Sequence, residues 1–337
     1  MIEAQKHGIC MLKGLLENGV EAQQTMYSKE DVKIRIIRNG ESREVLFHGI
    51  IKNAKIFVEN EVYHIEIFAV TVSEMLDRKK SQKSFQDIRM TYKQAVNRIL
   101  EPYESMTALY SKEANERLQE PVIQYGEMDW EFLIRLGSHL HIPIYADCLS
   151  GRTILHFGMP QGNLVNAKFD SYHVGISQKY HEVGKGKNNI TRKEYLYYIV
   201  SSDKNYQIGD KLRIGMCNYV IYQKYAQFIH DKMEFTYWVG ECGNWYIPYI
   251  AHEQLTGMEF AGTVIKTQTD TTNICLQVDK PYKGAEYDWE WTPTSGNIMY
   301  AMPEKGTSVK LCFGSEIASE GIATINVRDN GDIIHDN

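Results

Sequence analysis

Apolar and polar residues alternate along most of the chain, and this period-two pattern is typical of strands. In residues 31–38 every second residue is apolar, and Asn39-Gly40 follows directly. Asn-Gly beside alternating segments is the strongest short signal for a β-hairpin. We therefore predict a return strand at 44–50, a second hairpin that reverses near residues 59–61, and a small antiparallel sheet or barrel over residues 10–75.

Near residue 90 the apolar spacing changes to that of helices. Thr91 and Gln94 have the spacing of a capping box and precede the apolar face of a short helix. A second helical pattern runs through residues 126–140, with Trp130 on its predicted buried face, and two short strands follow. These features predict an α/β insert over residues 91–165.

Strand patterns return after residue 168. Five alternating segments occupy 173–177, 194–202, 210–215, 219–229 and 232–240. The last three repeat the order of the three strands predicted before residue 75, which indicates an internal repeat of about 30–40 residues, about 180 positions apart. Chance similarity between two antiparallel sheets is the alternative. After a spacer with Pro248 and Gly257, about five short strands over residues 256–330 fit a small closed barrel of the OB type.

Composition excludes several classes of protein. The chain has 337 residues, 37 basic and 43 acidic, with a formal net charge of −6 and no clustered basic surface. Nucleic acid and anionic membranes both select such a surface, so neither is an expected partner. We find no apolar run near the ~18 residues of a membrane helix, and no secretory signal at the N-terminus.

The chemistry-bearing residues do not form a recognisable catalytic site. His252-Glu253 lacks the second histidine of a zincin, the segment 183–187 lacks the phosphate-binding pattern G-x-x-x-x-G-K-[ST], and no G-x-S-x-G occurs. His139 and His141 should diverge, and His173 and His181 have no third ligand. We therefore predict no enzyme activity and no catalytic, cofactor-binding or metal-binding residue. The six scattered cysteines should be free, small buried hydrophobes; they are Cys10, Cys148, Cys217, Cys242, Cys275 and Cys312.

Aromatic residues are concentrated between residues 195 and 250. A subunit interface, a sugar-binding platform and ordinary sheet packing are three interpretations of this concentration. The residues concerned are Tyr195, Tyr197, Tyr198, Tyr219, Tyr222, Tyr225, Tyr237, Trp238, Trp245, Tyr246 and Tyr249.

The segment 124–147 resembles one protein family. Its spacing matches Q-Y-x-E-x-D-x-x-F-x-x-R-L, with Gln124, Tyr125, Glu127, Asp129, Phe132, Arg135 and Leu136 in the matching positions. This pattern is similar to that of the VgrG proteins of type VI secretion and of the late control protein D of contractile phages. Residues 47–57, 92–100, 208–229 and 291–314 also resemble successive segments of that family. Ile208 departs from the family pattern, which has proline before the glycine at Gly209.

The resemblance implies a mainly β (α+β) fold of four domains. Two pseudo-symmetric antiparallel β-barrel hub domains would occupy residues 1–90 and 166–250, separated by the α/β insert at 91–165. An OB-fold spike-base domain would occupy 256–330. Because no needle-like repeat follows residue 330, we expect the puncturing tip to be a separate protein.

The resemblance also implies a structural function. The chain would be a trimeric hub that joins the hexameric inner tube to the three-fold tip of a contractile injection system. Its partners would be two further copies of itself, the inner tube protein, baseplate proteins and the tip protein, without a cofactor. It would be made in the cytoplasm and assembled into a phage-tail-like particle. The alternative is a secreted β protein that binds cell wall or carbohydrate, with or without hydrolase activity; oligomeric state separates the two.

Overall fold

The computed structural model shows a mainly β protein. It describes residues 1–26, 33–39, 43–104, 106–149, 153–166, 169, 171–183, 190–230, 232–279, 287–293 and 302–325. The chain forms two compact units. Unit 1 comprises Met1–Leu76, Leu100–Ala114 and Leu136–Tyr249, and unit 2 comprises Asp77–Ile99, Asn115–Arg135 and Ile250–Asn337.

The described residues form the following strands: β1 Ile9–Leu16, β2 Lys33–Asn39, β3 Arg43–Glu59, β4 Val62–Val70, β5 Lys80–Phe85, β6 Met106–Tyr110, β7 Val122–Met128, β8 Ile144–Ala146, β9 Thr153–Phe157, β10 Leu164–Val165, β11 Tyr172–Ile176, β12 Leu196–Ser202, β13 Lys211–Ile214, β14 Cys217–Ile229, β15 Lys232–Gly240, β16 Glu259–Thr267, β17 Thr271–Leu276, β18 Trp289–Trp291, β19 Ser308–Cys312 and β20 Ile322–Ile325. The α-helices are α1 Gly19–Met26, α2 Tyr92–Leu100, α3 Asp129–His139 and α4 Lys179–Glu182. Short 3₁₀ helices include Val72–Asp77, Arg192–Tyr195, Cys242–Asn244 and Glu253–Leu255.

The first sheet of unit 1 has the strand order β1-β4-β3-β2, with antiparallel neighbours. Both predicted hairpins are present, although the turn between β2 and β3 lies outside the described residues. We predicted a return strand at 44–50, but β3 extends beyond it as one strand of 17 residues that belongs to both hairpins. A bulge at Lys52 lets β3 continue past the irregular position, because the extra residue bends the strand without ending it.

The second sheet of unit 1 has the order β10-β13-β14-β15-β12-β11. All five strands predicted after residue 168 are confirmed in it, as β11 to β15. Its buried side includes Val200, Ile221, Phe235 and Tyr237, all at most 2% exposed. A third sheet of unit 1, in the order β6-β9-β8, includes a parallel pair between β6 and β9.

Unit 2 contains a closed five-stranded barrel in the order β16-β17-β18-β20-β19. The strand count predicted for residues 256–330 therefore agrees with the described part of that segment. The barrel core includes Trp289 and Leu311, both fully buried, and Ile123 of β7 packs into the same core. β7 in turn pairs with β5. The barrel and the β5–β7 pair are thus parts of one unit.

The two helices predicted near residue 90 and in 126–140 are α2 and α3. The capping box of α2 is confirmed, since the Thr91 backbone N–H donates to Gln94 Oε1 at 2.8 Å and the Gln94 N–H donates back to Thr91 Oγ1 at 3.2 Å. Trp130 is buried on α3, as expected. The predicted start of the second helix was wrong by three residues. Residues 126–128 belong to β7, where Gly126 has φ +69°, a conformation that favours glycine and is unsuited to a helix.

The predicted insert at 91–165 contributes to both units, because its first helix and β7 lie in unit 2 and its last two strands lie in unit 1. The four-domain division stays a prediction. So does the description of the first two sheets as barrels.

Candidate assembly surface

The first and second sheets of unit 1 contain the same four-stranded arrangement. In the first sheet the order is β1-β4-β3-β2, and in the second it is β12-β15-β14-β13. The long strands carry a bulge at Lys52 and at Tyr222, which are 170 positions apart. The turns that follow place Asn60 and His230, also 170 apart, at positive φ values of 49° and 47°. The internal repeat indicated by the sequence is therefore present in the structure.

Burial repeats as well. β4 and β15 show the same sequence of exposed, half-buried and buried positions from first residue to last. In both copies the strand leads into a 3₁₀ helix, Val72–Asp77 in the first and Cys242–Asn244 in the second. A bulge fixes register and local twist. We infer that these shared features give the two sheets the same register and curvature from different sequences.

The contacts of the bulged residues differ between the copies. Lys52 Nζ lies 2.5 Å from Glu74 Oε1, on the 3₁₀ helix of the first copy. Tyr222 packs against Trp245, beside the 3₁₀ helix of the second copy, with ring centroids 6.1 Å apart. The same backbone feature is thus held by an ion pair in one copy and by aromatic packing in the other.

Both copies expose apolar side chains at the end of the hairpin. Val58 of the first copy is 56% exposed and Phe228, 170 positions later, is 66% exposed. On β1, Met11 and Leu15 are 77% and 68% exposed. Val58 and Phe228 thus place an exposed apolar side chain at the equivalent position of each copy.

Most of the aromatic residues singled out from the sequence are inside the fold. Tyr195, Tyr219 and Tyr237 are buried, whereas Tyr225 and Tyr249 are 39% and 51% exposed. The rest are half-buried. The Tyr237 hydroxyl accepts from the Tyr206 N–H at 2.8 Å and donates to the Lys204 carbonyl at 2.6 Å. Sheet packing therefore accounts for many of these aromatics, and a flat sugar-binding platform has no support in their positions.

The histidines considered as metal ligands are dispersed. His139 stacks on Tyr249 and His141 on Tyr246, with centroids 5.1 and 4.6 Å apart. His173 lies on β11 and His181 on α4. Among the described residues no group of three or more His, Cys, Asp or Glu side chains has the geometry of a metal site. Most of the glycine-lysine segment 183–187 lies outside the described residues.

All six cysteines are free, as predicted. Their predicted burial was only partly right: Cys148 is buried and Cys10, Cys275 and Cys312 are half-buried, but Cys217 and Cys242 are exposed. Cys217 begins β14, directly after the exposed turn at Met216, which accounts for its position. Burial raises the pKa of the Cys148 thiol to about 12, so this residue is neutral and packs as a hydrophobe.

The residues of the family-like segment form a buried polar network in unit 2. Arg135 donates to Glu127 Oε1 at 2.5 Å and to Oε2 at 3.2 Å, and also to the Ile123 carbonyl at 2.7 Å. Gln124 Nε2 donates to Asp129 Oδ1 at 2.7 Å. The network joins β7 to α3, so this segment has a structural role.

His252 lies beside the same network, which the sequence pattern did not indicate. Its Nε2 is 3.8 Å from Glu127 Oε1. Burial, and then the nearby Arg135, lowers the pKa of His252 to about 4, whereas burial raises the pKa of Glu127 despite its bonds to Arg135. His252 is therefore neutral at pH 7.

A buried lysine in the second sheet was also missed by sequence reasoning. Lys224 is 4% exposed, and its Nζ donates to the Tyr206 carbonyl at 2.7 Å and to Asn205 Oδ1. It lies 5.2 Å from the centroid of the Phe235 ring. Burial lowers the pKa of Lys224 to about 8. The sequence offered one signal for this residue. Lys224 occupies the position of β14 that is equivalent to Ala54 of β3, so a lysine replaces a small apolar residue there.

No described helix is long and apolar enough to cross a membrane. The described residues therefore offer two duplicated sheets with exposed apolar edges and hairpin ends, and buried polar networks that brace the fold.

The fold is that of the VgrG and phage tail-hub proteins, as the sequence resemblance implied. The Escherichia coli c3393 protein, described as a type VI secretion component with structural similarity to the T4 bacteriophage tail proteins gp27 and gp5, matches with a TM-score of 0.64 at 13% identity. That match covers 96% of this chain and 93% of the other.

Two further solved structures share the fold. A chain of the half-lidded Francisella PdpA–VgrG complex matches with a TM-score of 0.54 at 9% identity, over 92% of this chain and 71% of the other. A tail protein from Neisseria meningitidis MC58 matches with a TM-score of 0.50 at 10% identity, over 74% and 92%. No protein-family model and no curated protein sequence matches the chain.

Proposed function

We propose that this protein is a structural hub of a contractile injection system, which joins a six-fold inner tube to a three-fold spike. The observation that carries the proposal is the duplicated four-stranded sheet with its shared bulge and turn positions. Three chains that each contribute two equivalent sheets present six similar surfaces. A closed ring of three chains can thereby match a ring of six tube subunits.

The exposed hairpin ends are the proposed contacts with the tube. Val58 and Phe228 occupy equivalent positions in the two copies, and both are more than half exposed. A six-fold partner would meet an apolar side chain at each of six positions. This recurrence favours a tube contact over a partner that recognises a single surface of the chain.

We further propose that the closed barrel of unit 2 is an OB-type spike base. Five strands and a closed edge are typical of that fold. The barrel would bind a separate tip protein. The three solved structures that share the fold are named as a type VI secretion component, a tail protein and a PdpA–VgrG complex, which supports assembly into a tail-like particle and a non-enzymatic function.

The experiment is co-assembly with an inner tube protein of a contractile injection system from the same genome. Electron microscopy of the mixture should show this protein at tube ends only, with three chains for every six tube subunits. Val58→Glu with Phe228→Glu should abolish capping, because both changes bury a charge at the proposed contact. Glu59→Gln, at the same hairpin end, is the control and should cap normally. Binding along the tube length, or capping by the double variant, would contradict the proposal.

A further inference from the structure

β11 is an outer strand that only the second sheet possesses. In the first sheet the strand equivalent to β12 is β1, and β1 is the outermost strand on that side among the described residues. In the second sheet β11 pairs with β12 and is itself outermost. The four-stranded frame does not require β11, which is an added edge on this side of the second sheet, as β10 is on the other side.

Among the described residues no strand pairs with the outer edge of β11, which therefore presents backbone groups at every second residue. In an antiparallel pair, residues alternate between those that bond to the neighbour and those that point away from it. Ser177 N–H donates to the Tyr195 carbonyl at 2.9 Å, which continues the β11–β12 register. Gly175 and His173 therefore also face β12. Tyr172, Val174 and Ile176 direct their N–H and C=O groups outward.

Two of these outward-bonding residues, Val174 and Ile176, lie beside a shallow groove. Its volume is about 420 Å³, and its lining consists of Val174, Gly175, Ile176, Leu196, Arg192 and Lys193. The wall formed by β11 and Leu196 is apolar, and the two cations, both exposed, line the rest. Val174 is 60% exposed and Tyr172 is 51% exposed.

β11 also lacks the features that usually protect an edge strand. Natural edges carry charges, prolines or bulges that prevent pairing with another chain. The sequence of β11, YHVGI, contains no Lys, Asp, Glu or Pro, and its register with β12 is regular. An unprotected edge beside an apolar groove is the arrangement that accepts an added strand.

We propose that the free edge of β11 binds an extended acidic segment of a partner protein, which adds as a further strand to the second sheet. Apolar side chains of the segment would occupy the groove beside Val174 and Ile176. Its carboxylates would meet Arg192 and Lys193. Charge complementarity with these two residues is the reason for an acidic partner, and it disfavours a second copy of this chain, whose β11 would bring the same two cations.

The test uses the full chain and labelled seven-residue peptides in fluorescence anisotropy. Both peptides have threonine at positions 2, 4 and 6. In the first peptide positions 1 and 3 are valine and positions 5 and 7 are glutamate. In the second peptide positions 1 and 3 are glutamate and positions 5 and 7 are valine. The two orders cover parallel and antiparallel addition. Matched peptides have lysine in place of glutamate. At least one glutamate peptide should bind about tenfold more tightly than its lysine match.

Two variants locate the site. Arg192→Glu with Lys193→Glu should reverse the preference between the peptides, whereas the control Lys211→Glu with Arg213→Glu, on β13 across the same sheet, should leave it unchanged. Val174→Pro should abolish binding of the glutamate peptide and keep the melting temperature, because the Val174 N–H is not used in the pairing with β12. If Val174→Pro unfolds the chain, the peptide preference of the Arg192→Glu, Lys193→Glu variant alone tests the proposal.

Three results would overturn the proposal. They are equal binding of glutamate and lysine peptides, no binding of any peptide, and an unchanged preference in the Arg192→Glu, Lys193→Glu variant. A chain assembly that Val174→Pro dissociates would show that a second copy occupies the edge, which would also overturn it. None of these measurements depends on tube capping, so the two proposals fail separately.

Discussion

The two sheets of unit 1 share a backbone frame but differ in the side chains placed on it. On the outer face of the first sheet, one cross-strand row consists of Lys13, Glu66 and Lys55. The equivalent row of the second sheet consists of Ser201, Thr236 and Tyr225. Strand order, bulge position and turn are kept, whereas the charges are not.

The interiors differ in the same manner. Ile67 of β4 and Tyr237 of β15 are equivalent buried positions, whereas Lys224 of β14 is buried and its equivalent on β3, Ala54, is half-buried. The first interior is apolar, with Phe47 among aliphatic side chains, while the second contains a hydroxyl and an ammonium group that need partners. Register is thus fixed by the bulge and the turn, which leaves the side chains free to diverge for different neighbours.

The largest predicted effect comes from deleting a bulged residue. Deletion of Lys52 or of Tyr222 would move half of a long strand by one position and turn its side chains to the opposite face. Each deletion should destabilise the protein by more than about 5 kcal/mol, enough to remove the cooperative transition. Circular dichroism melting measures this.

The comparison predicts that the two deletions behave alike. If deletion of Lys52 were tolerated while deletion of Tyr222 unfolded the chain, the bulges would not have equivalent roles. The repeat would then be a similarity of strand order only.

Truncation at the equivalent core positions should show the divergence of the interiors. Tyr237→Ala should cost about 3–5 kcal/mol and Ile67→Ala about 2–5 kcal/mol, from lost burial and the cavity that remains. Tyr237→Phe isolates the hydroxyl and should cost about 1–3 kcal/mol, because the Tyr206 N–H and Lys204 carbonyl lose their partner. Denaturant unfolding gives these values. A neutral Tyr237→Phe would refute the role assigned to the hydroxyl.

Lys224 should make stability depend on pH in the alkaline range. Its folded pKa of about 8 lies below the ordinary value of 10.5, so between these pH values the unfolded chain binds more protons than the folded chain. Stability contributed by this group therefore rises as pH increases from 8 to 10.5, by up to about 3 kcal/mol. Below pH 8 the cost of burying the charge is fully present.

Lys224→Met is the matched variant, because it has no titrating group at this position. The difference in unfolding free energy between the native chain and the variant should change across this pH window. A constant difference from pH 7 to 10.5 would show that the Lys224 ammonium is not desolvated in the fold.

The smallest effect is expected at the bulge ion pair of the first sheet. Lys52→Ala removes the contact with Glu74 but keeps the extra residue, and exposed ion pairs contribute about 0.2–1 kcal/mol. A melting temperature lowered by only a few degrees would show that the backbone bulge, and not the lysine side chain, determines the register. A loss comparable to the Lys52 deletion would contradict this.

Local signals made much of the fold predictable. Asn39-Gly40 and the alternation of β3, β4, β14 and β15 indicated the hairpins, because turn residues and face alternation act within a few positions of the sequence. The capping box at Thr91 located the start of α2 for the same reason.

The parts that were missed depend on distant residues. β6 pairs in parallel with β9, and β5 pairs with β7 across a long connection, so no nearby turn marks them. Lys224 resembles an exposed strand lysine until the Tyr206 carbonyl is placed beside it. The groove at β11 is lined by that strand and by Arg192 and Lys193. These two residues follow β11 by 16 or more positions, so no strand or helix periodicity could indicate that they lie beside it.

The mass of the assembled protein tests the central claim most directly. Light scattering of the full chain at micromolar concentration, alone and with the inner tube protein, measures how many copies join. Because the two sheets supply two equivalent surfaces per chain, we predict three copies of the 38.9 kDa chain in a closed ring, present alone or in the tube-bound complex. A monomer in both conditions, or a ring of six copies, would contradict the account.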